Sequence, residues 1–452
     1  MQMTPENLAN TLKSLLRTYH VLQACCFLSW CANVIFMIFG VVFMNELGVS
    51  LSGIFLLNLL IIIVTFFSST FFNHRSDLLK KRKAYMMLAF LLRTLGILII
   101  ALSNNIYMFV IHNIIINILN PLSFDVAIIH ELGEIIEQLA REIDGAPINP
   151  NAATRYYLKY RLFGSLGWAL MAPFAGFSIG ALNMILASGD QFIGSVGGYR
   201  VFMLVAFTLY MAVMIVFLTM YDEPMIARVK DALSRNLKGD YSIPEALQAV
   251  KQPGMQAGSR AFALLLISIF LFQIGASLFQ TPYAIFMKSF SHGNLFYVGI
   301  SYFLSAILEV PLFTIAYRLI KKRGYALTLS IAFLLEIIRV GLTVLVIPLG
   351  IPEIVLPLQM MNSFAFRWPA VTHGISVVSR KRRATGINSS LVVEKAGGFI
   401  GSLIGTLLSG EGTEIGTYNF LFAFSLVFLV TNQIVFTSGS LTRGRSRHDK
   451  MQ

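Results

Sequence analysis

Three stretches of this chain limit what it can fold into. Val21 to Met44, Leu51 to Phe72 and Ala261 to Met287 contain no charged residue. About 20 apolar residues cross a bilayer as a helix. In hydrocarbon an unsatisfied backbone group costs several kcal/mol, so a spanning segment is either a helix or part of a closed barrel. The runs lack the period-2 alternation of barrel strands. The fold class is therefore all-α integral membrane. Composition agrees: 56% of the 452 residues are hydrophobic and 13% are charged, against roughly 25% charged in a soluble chain.

The apolar runs and their polar breaks predict twelve transmembrane helices, near residues 20–44, 50–72, 84–102, 107–130, 157–186, 199–221, 261–287, 295–320, 325–347, 353–378, 387–409 and 418–438. The amino-terminal stretch is amphipathic, with Lys13, Arg17 and His20 and no small-residue cleavage site. It reads as no cleavable signal peptide. Cys25, Cys26 and Cys31 all fall in the first span and read as small apolar residues rather than disulfides or metal ligands.

The net charge of +13 would suggest nucleic acid on a soluble protein, but its placement argues otherwise. Basic clusters recur at every second loop: Lys80 to Lys83, Arg155 to Arg161, Arg228 to Lys251, Lys321 to Arg323, Arg380 to Arg383, and Arg443 with Arg445. The alternate loops carry Glu46, Asp190, Glu353, Glu411 and Glu414, with Arg200 and Lys288 as exceptions. Excess Lys and Arg marks the cytoplasmic side. The expectation is a multi-pass cell-membrane protein with both termini cytoplasmic, no nucleic-acid partner, and a basic tail lying on anionic lipid headgroups.

The polar connection 222–259 divides the chain into an N-terminal six-helix bundle (1–221) and a C-terminal one (260–438), followed by the basic tail 439–452. The two blocks resemble each other. Leu79-Lys-Lys-Arg82 precedes Leu88-Ala-Phe-Leu-Leu92, as Ile320-Lys-Lys-Arg323 precedes Ile331-Ala-Phe-Leu-Leu335. Phe163-Gly-Ser-Leu-Gly167 on the fifth span is echoed by Ile400-Gly-Ser-Leu on the eleventh. Such repeats place a substrate site between the halves, near the midplane. Small residues at four-residue spacing, Ala172, Gly176 and Gly180 and then Gly397, Gly401 and Gly405, mark faces of close helix packing.

At this point the chain resembles the major facilitator superfamily over nearly its whole length. The run from Asn73 through Asp77 to Arg82 and Lys83 is similar to the loop signature of that family, with the aspartate and cations kept and Asn73 and Lys80 standing where glycines are usual. Lys159-Tyr-Arg161-Leu-Phe-Gly-Ser-Leu-Gly167-Trp168-Ala-Leu is similar to the fifth-helix segment of the lactose permease-like branch, which neighbours the nucleoside–proton symporters. The resemblance implies gating roles for Asp77, Arg82 and Lys83. It implies substrate binding by Asp125, Arg161 and Trp168: an acid and an arginine can grip hydroxyls by charge-assisted bonds, and an indole face can cover a ring. The acidic insert Glu131 to Asp144 departs from the permease.

The second half departs further. Gln280, Gln359, Asn362 and Ala365 stand where the permease carries its seventh- and tenth-helix charges. Replacing an acid–lysine pair by two glutamines removes both charges together and strands neither. Gln280, Gln359 and Asn362 join the substrate-binding candidates. Charges at bilayer depth are costly and default to a functional or paired reading. Glu309, Glu336 and Arg339 are the proton-coupling candidates: Glu336 and Arg339 are three apart on one helical face, and Glu309 in apolar surroundings is read as a proton carrier working against Arg339.

No Walker loop, zinc spacing, catalytic triad or cofactor motif is present; neither an enzyme nor a metal site is expected. The reading is a monomeric secondary active transporter moving a small polar solute, sugar or nucleoside-like, by alternating access with proton coupling. Its rivals are an exporter of amphipathic compounds, an uncoupled facilitator, and a non-transporting receptor that keeps the fold.

Overall fold

A computed structural model describes residues 5–79, 82–118, 132–144, 152–186, 191–240, 259–378, 383–410 and 414–448. The described residues form helices and short connections, with no strand among them. The first span joins α1 (Pro5–Val34) to α2 (Gly40–Glu46) through a π-helical turn, Ile35–Phe39. Then come α3 (Leu51–Leu79), α4 (Arg82–Ala101) and α5 (Ile106–Ile118). A surface helix α6 (Gly133–Asp144) precedes the long α7 (Ala152–Leu186) and α8 (Gln191–Met220). Helix α9 (Glu223–Asp240) opens the central connection. The second half contains α10 (Ser259–Phe290), α11 (Leu295–Ile307), α12 (Glu309–Arg323), α13 (Tyr325–Val346), α14 (Pro352–Leu358), α15 (Phe364–Val378), α16 (Arg383–Ser409) and α17 (Ile415–His448).

Ten helical segments are long and apolar enough to cross a membrane, counting α1–α2 and α11–α12 as one each. The fourth predicted span is described only as α5, and the tenth is split into α14 and α15. Each of the twelve predicted spans thus falls on helix in the described residues. The halves are built alike. In the first, α1 packs on α7 and α8, and α4 on α8; in the second, α10 packs on α16 and α17, and α13 on α17.

Between the halves the contacts are swapped in matching fashion: α7 lies against α11, and α3 against α16. Small residues make these seams possible. A Cβ on Gly176 would stand 2.4 Å from the Leu295 carbonyl oxygen, and one on Gly299 would stand 2.3 Å from that of Ala172. A Cβ on Gly405 would meet the Phe55 ring at 2.4 Å. Gly397 and Gly401, from the same four-residue stripe, instead abut the α10 backbone at Phe270 and Ile274 within their own half.

The acidic insert folds as an amphipathic helix. Ile135, Ile136 and Leu139 of α6 are buried, against α7 and α1. Glu134 and Glu142 stay exposed. Helix α9 likewise buries Ile226, Val229 and Leu233.

Candidate functional site

Two prolines explain where the C-terminal half breaks its helices. Pro311 has no N–H to give the Ile307 carbonyl, and its ring crowds that turn. The span stops at Leu308 and restarts with Glu309 in the first turn of α12. Pro357 lies inside α14, which ends at Leu358. Residues 359–362 run without regular helix until α15 begins at Phe364.

The two breaks meet. Asn362 accepts a hydrogen bond from the Phe364 N–H through its Oδ1 (3.0 Å) and donates through Nδ2 to Glu309 Oε1 (2.8 Å). The other Glu309 oxygen accepts from Ser165 Oγ on α7, in the opposite half, at 2.7 Å. Next in sequence, Ser363 Oγ donates to Glu336 Oε2 at 2.7 Å. Glu336 also pairs with Arg339, whose Nη1 reaches Gln359 Oε1 at 3.5 Å. Glu336 is fully buried and Arg339 nearly so. One irregular segment therefore supplies groups to both buried acids.

Glu309 and Arg339 were expected to work against each other. In this conformation their bonds go elsewhere: Glu309 to Ser165 and Asn362, Arg339 to Glu336 and Gln359. Arg161 interacts with Glu309 electrostatically. Its guanidinium lies 4.8 Å from the Trp30 ring centre and 5.5 Å from that of Phe364. Gly164 is what lets Trp30 sit there, since a Cβ would meet its indole at 2.7 Å. Trp168 packs on Trp30 (5.4 Å between ring centres) and on Tyr302 (6.2 Å).

A cavity of about 640 Å³ lies between the halves. Trp30 and Tyr302 line it, as do Asn33, Asn58 and Gln280, with Arg93 and Lys395 as its charged groups. Of the predicted binding residues, Gln280 faces this space, while Gln359 and Asn362 belong to the helix break behind it. Asp125 lies outside the described residues.

The cavity is sealed at the face opposite the chain termini. There Lys288 at the end of α10 pairs with Glu46 at the end of α2. Ser52 Oγ donates to the Thr406 carbonyl at 3.2 Å. The close α7–α11 crossing lies on the same side. Nearer the middle, Asn58 Nδ2 donates to Ser402 Oγ at 2.8 Å.

At the terminal face, the Lys83 N–H donates to the Glu223 carboxylate at 3.0 Å. Its ammonium donates to the carbonyls of Leu218, at 3.1 Å, and Tyr221 at the end of α8. A cation on the last carbonyls of a helix is favourable. Lys83 thereby ties the third span to the sixth. The side chains of Asp77 and Arg82 are outside the described set.

Sequence reading passed over Trp30 and Ser165. Trp30 is a single residue on an apolar helix, and Ser165 was read only as part of a motif. The one local hint was Gly164 within Phe-Gly-Ser, which marks a place where something large comes close.

Two similarly packed helical halves with a cavity between them form an all-α membrane fold. The pattern of the MFS_1 like family matches residues 19–422, and the chain belongs to that family, within the major facilitator fold. Among solved structures it is similar to the nucleoside transporter NupG (14% identity, TM-score 0.64, covering 93% of this chain and 98% of that one). It is also similar to the xylose transporter XylE from E. coli (14% identity, TM-score 0.59, 93% and 98% covered). A third is a POT family transporter in complex with 5-aminolevulinic acid (13% identity, TM-score 0.58, 95% and 96% covered). No curated protein matches the chain.

Proposed function

We propose that this protein is a secondary active transporter that carries a small polar solute, sugar or nucleoside-like in size and hydroxyl content, by alternating access and with proton coupling. The observation that carries the proposal is the cavity between the halves, with amides and aromatic rings on its walls and a seal at the face opposite the chain termini. Amides can exchange hydrogen bonds with hydroxyls, and indole or phenol rings can cover a sugar or base. Similarity to a nucleoside and a xylose transporter supports that choice of solute.

Asp125, Arg161, Trp168, Gln280, Gln359 and Asn362 are assigned to solute binding, directly or by shaping the helix break. Glu309 is assigned the proton. It bridges the halves through Ser165, so loading and unloading it changes the bond that joins them. Arg161, on the partner half, is the cation placed to compete with that proton. Glu336 and Arg339 hold the break in register. Asp77, Arg82 and Lys83 are assigned to gating at the terminal face. The halves are taken as 1–221 and 260–438 joined by 222–259, in a monomer of the cell membrane with both termini cytoplasmic.

The test is uptake into proteoliposomes across sugars and nucleosides, with and without an imposed pH gradient. The expected result is accumulation driven by the gradient. In Glu309→Gln, gradient-driven accumulation is lost while solute exchange persists. Undiminished accumulation in that variant rules out the proton role of Glu309. Absence of flux for every solute rules out transport and favours a receptor.

A further inference from the structure

Helix α16 puts a cation into the cavity that the proposal above leaves unused. Glu394 and Lys395 are consecutive, so their side chains leave the helix about 100° apart and need separate partners. Glu394 turns to Arg367, with N and O 3.8 Å apart. Lys395 turns into the cavity. It makes no hydrogen bond and no ion pair among the described residues. It lies within the apolar stretch Ser389–Ser409 of the 27-residue α16.

Its surroundings are polar but carry no described opposite charge. Gln273 packs against Gly397 and Gly398, next along the helix, and Ser277 donates to the Gly398 carbonyl at 3.4 Å. Both side chains also line the cavity. The other charged lining group is again a cation, Arg93 of α4, which donates to Tyr210 Oη at 3.4 Å. No carboxylate is found among the described lining residues.

An ammonium at bilayer depth is expensive and is kept where something pairs with it. A neutral sugar or nucleoside offers Lys395 only hydroxyl or carbonyl oxygens. An anionic oxygen offers a charge-assisted hydrogen bond, roughly twice as strong. The attraction is strengthened where protein walls lower the dielectric.

We propose that the transported solute carries an anionic group, a carboxylate or a phosphate ester, and that Lys395 is the residue that receives it. Asn33, Asn58 and Gln280 bond the uncharged remainder. This rests on the transport reading and narrows its substrate class.

The test uses the full-length protein and matched pairs that differ by one charged group: glucose and glucuronate, glycerol and glycerate, uridine and uridine monophosphate. Binding is read as a rise in melting temperature, and transport as uptake into proteoliposomes. The anionic member of at least one pair is expected to stabilise the protein while its neutral partner does not. Lys395→Gln is expected to weaken that binding at least tenfold, and Lys395→Arg to keep the preference for the anion. An unliganded melting temperature close to wild type shows that Lys395→Gln is folded; if it is not, the arginine variant and the wild-type pair comparison decide alone.

Equal stabilisation by a neutral partner, wild-type anion affinity in folded Lys395→Gln, or no response to any anionic member overturns the proposal. Neutral solute uptake that persists in Lys395→Gln overturns it while leaving the transporter reading intact. Lys395-dependent anion binding without flux of any solute keeps the site and removes the transporter reading.

Discussion

Leucine at Gly176 or Gly299 is expected to cut transport by about a hundredfold while leaving both six-helix halves folded. At these positions α7 and α11 touch backbone to backbone. A Cβ at either glycine would stand 2.4 Å or 2.3 Å from a carbonyl oxygen of the other helix. A backbone oxygen cannot rotate aside as a side chain can, so the helices must separate. Overpacking of this kind costs about 1–3 kcal/mol. Because the clash lies between the halves, that cost falls on the sealed state and not on either half's own core. A penalty near 2.8 kcal/mol lowers the sealed population, and any flux that passes through it, about a hundredfold.

Two measurements check this. Uptake in proteoliposomes should fall in both variants. A cysteine placed at Thr281, on the cavity wall, should become more reactive from the face opposite the termini. Gly180 is the internal control. It lies on the same helix, one turn beyond Gly176, and a Cβ there meets nothing within 4 Å. Gly180→Leu should transport normally. Wild-type flux in the Gly176 and Gly299 variants would remove the seal from the transport cycle.

The glycine stripes also show what a single sequence can and cannot express. Four-residue spacing announces a close-packed face. It does not say that Gly176 serves a seam between halves, that Gly397 serves its own half, or that Gly180 faces open space. Those differences depend on which helix lies opposite, and that is decided by contacts hundreds of residues apart. The spans themselves were legible because the cost of burying backbone in hydrocarbon acts locally on each apolar run. The repeats that keep their order along the sequence match the like packing of α1 on α7 and α8 and of α10 on α16 and α17.

The site was only partly legible. Glu309 stood out as a charge in an apolar run. Pro311, two residues on, was the sign that Glu309 begins a helix rather than sits within one. Its partner Ser165 is 144 positions away, and nothing local to either residue announces the pair. The expected opposition of Glu309 and Arg339 came from reading both as charges at bilayer depth. Here Arg339 is taken by Glu336, three residues back on its own helix and the nearest acid on that face. Lys395 was legible as a charge inside an apolar span, and its adjacency to Glu394 already sends the two side chains to different sides of the helix; that Lys395 is the one on the cavity wall depends on which helices lie opposite.

Removing one member of the buried Glu336–Arg339 pair is expected to cost far more than removing both. Glu336 has both carboxylate oxygens bonded, to Arg339 and to Ser363. Arg339 also lies 5.0 Å from the Phe279 ring centre. Glu336→Leu leaves a guanidinium without its counter-ion in a closed space, and Arg339→Met does the same to a carboxylate. Breaking a buried pair on one side costs about 3–5 kcal/mol, while replacing both members by apolar groups of similar size is often neutral. At about 2–4 °C per kcal/mol for a unit of this size, each single variant should melt roughly 10 °C lower. The double variant should recover most of that loss, a departure from additivity expected of residues in direct contact. Ser363 and Gln359, freed by the double replacement, stand in the segment that also carries Asn362. The recovered protein should therefore be stable but impaired in proton-driven uptake, because Asn362 no longer holds Glu309 from a fixed position. A double variant as unstable as the singles would show that the charges stabilise the fold in their own right. One that is stable and fully coupled would confine Glu336 and Arg339 to folding.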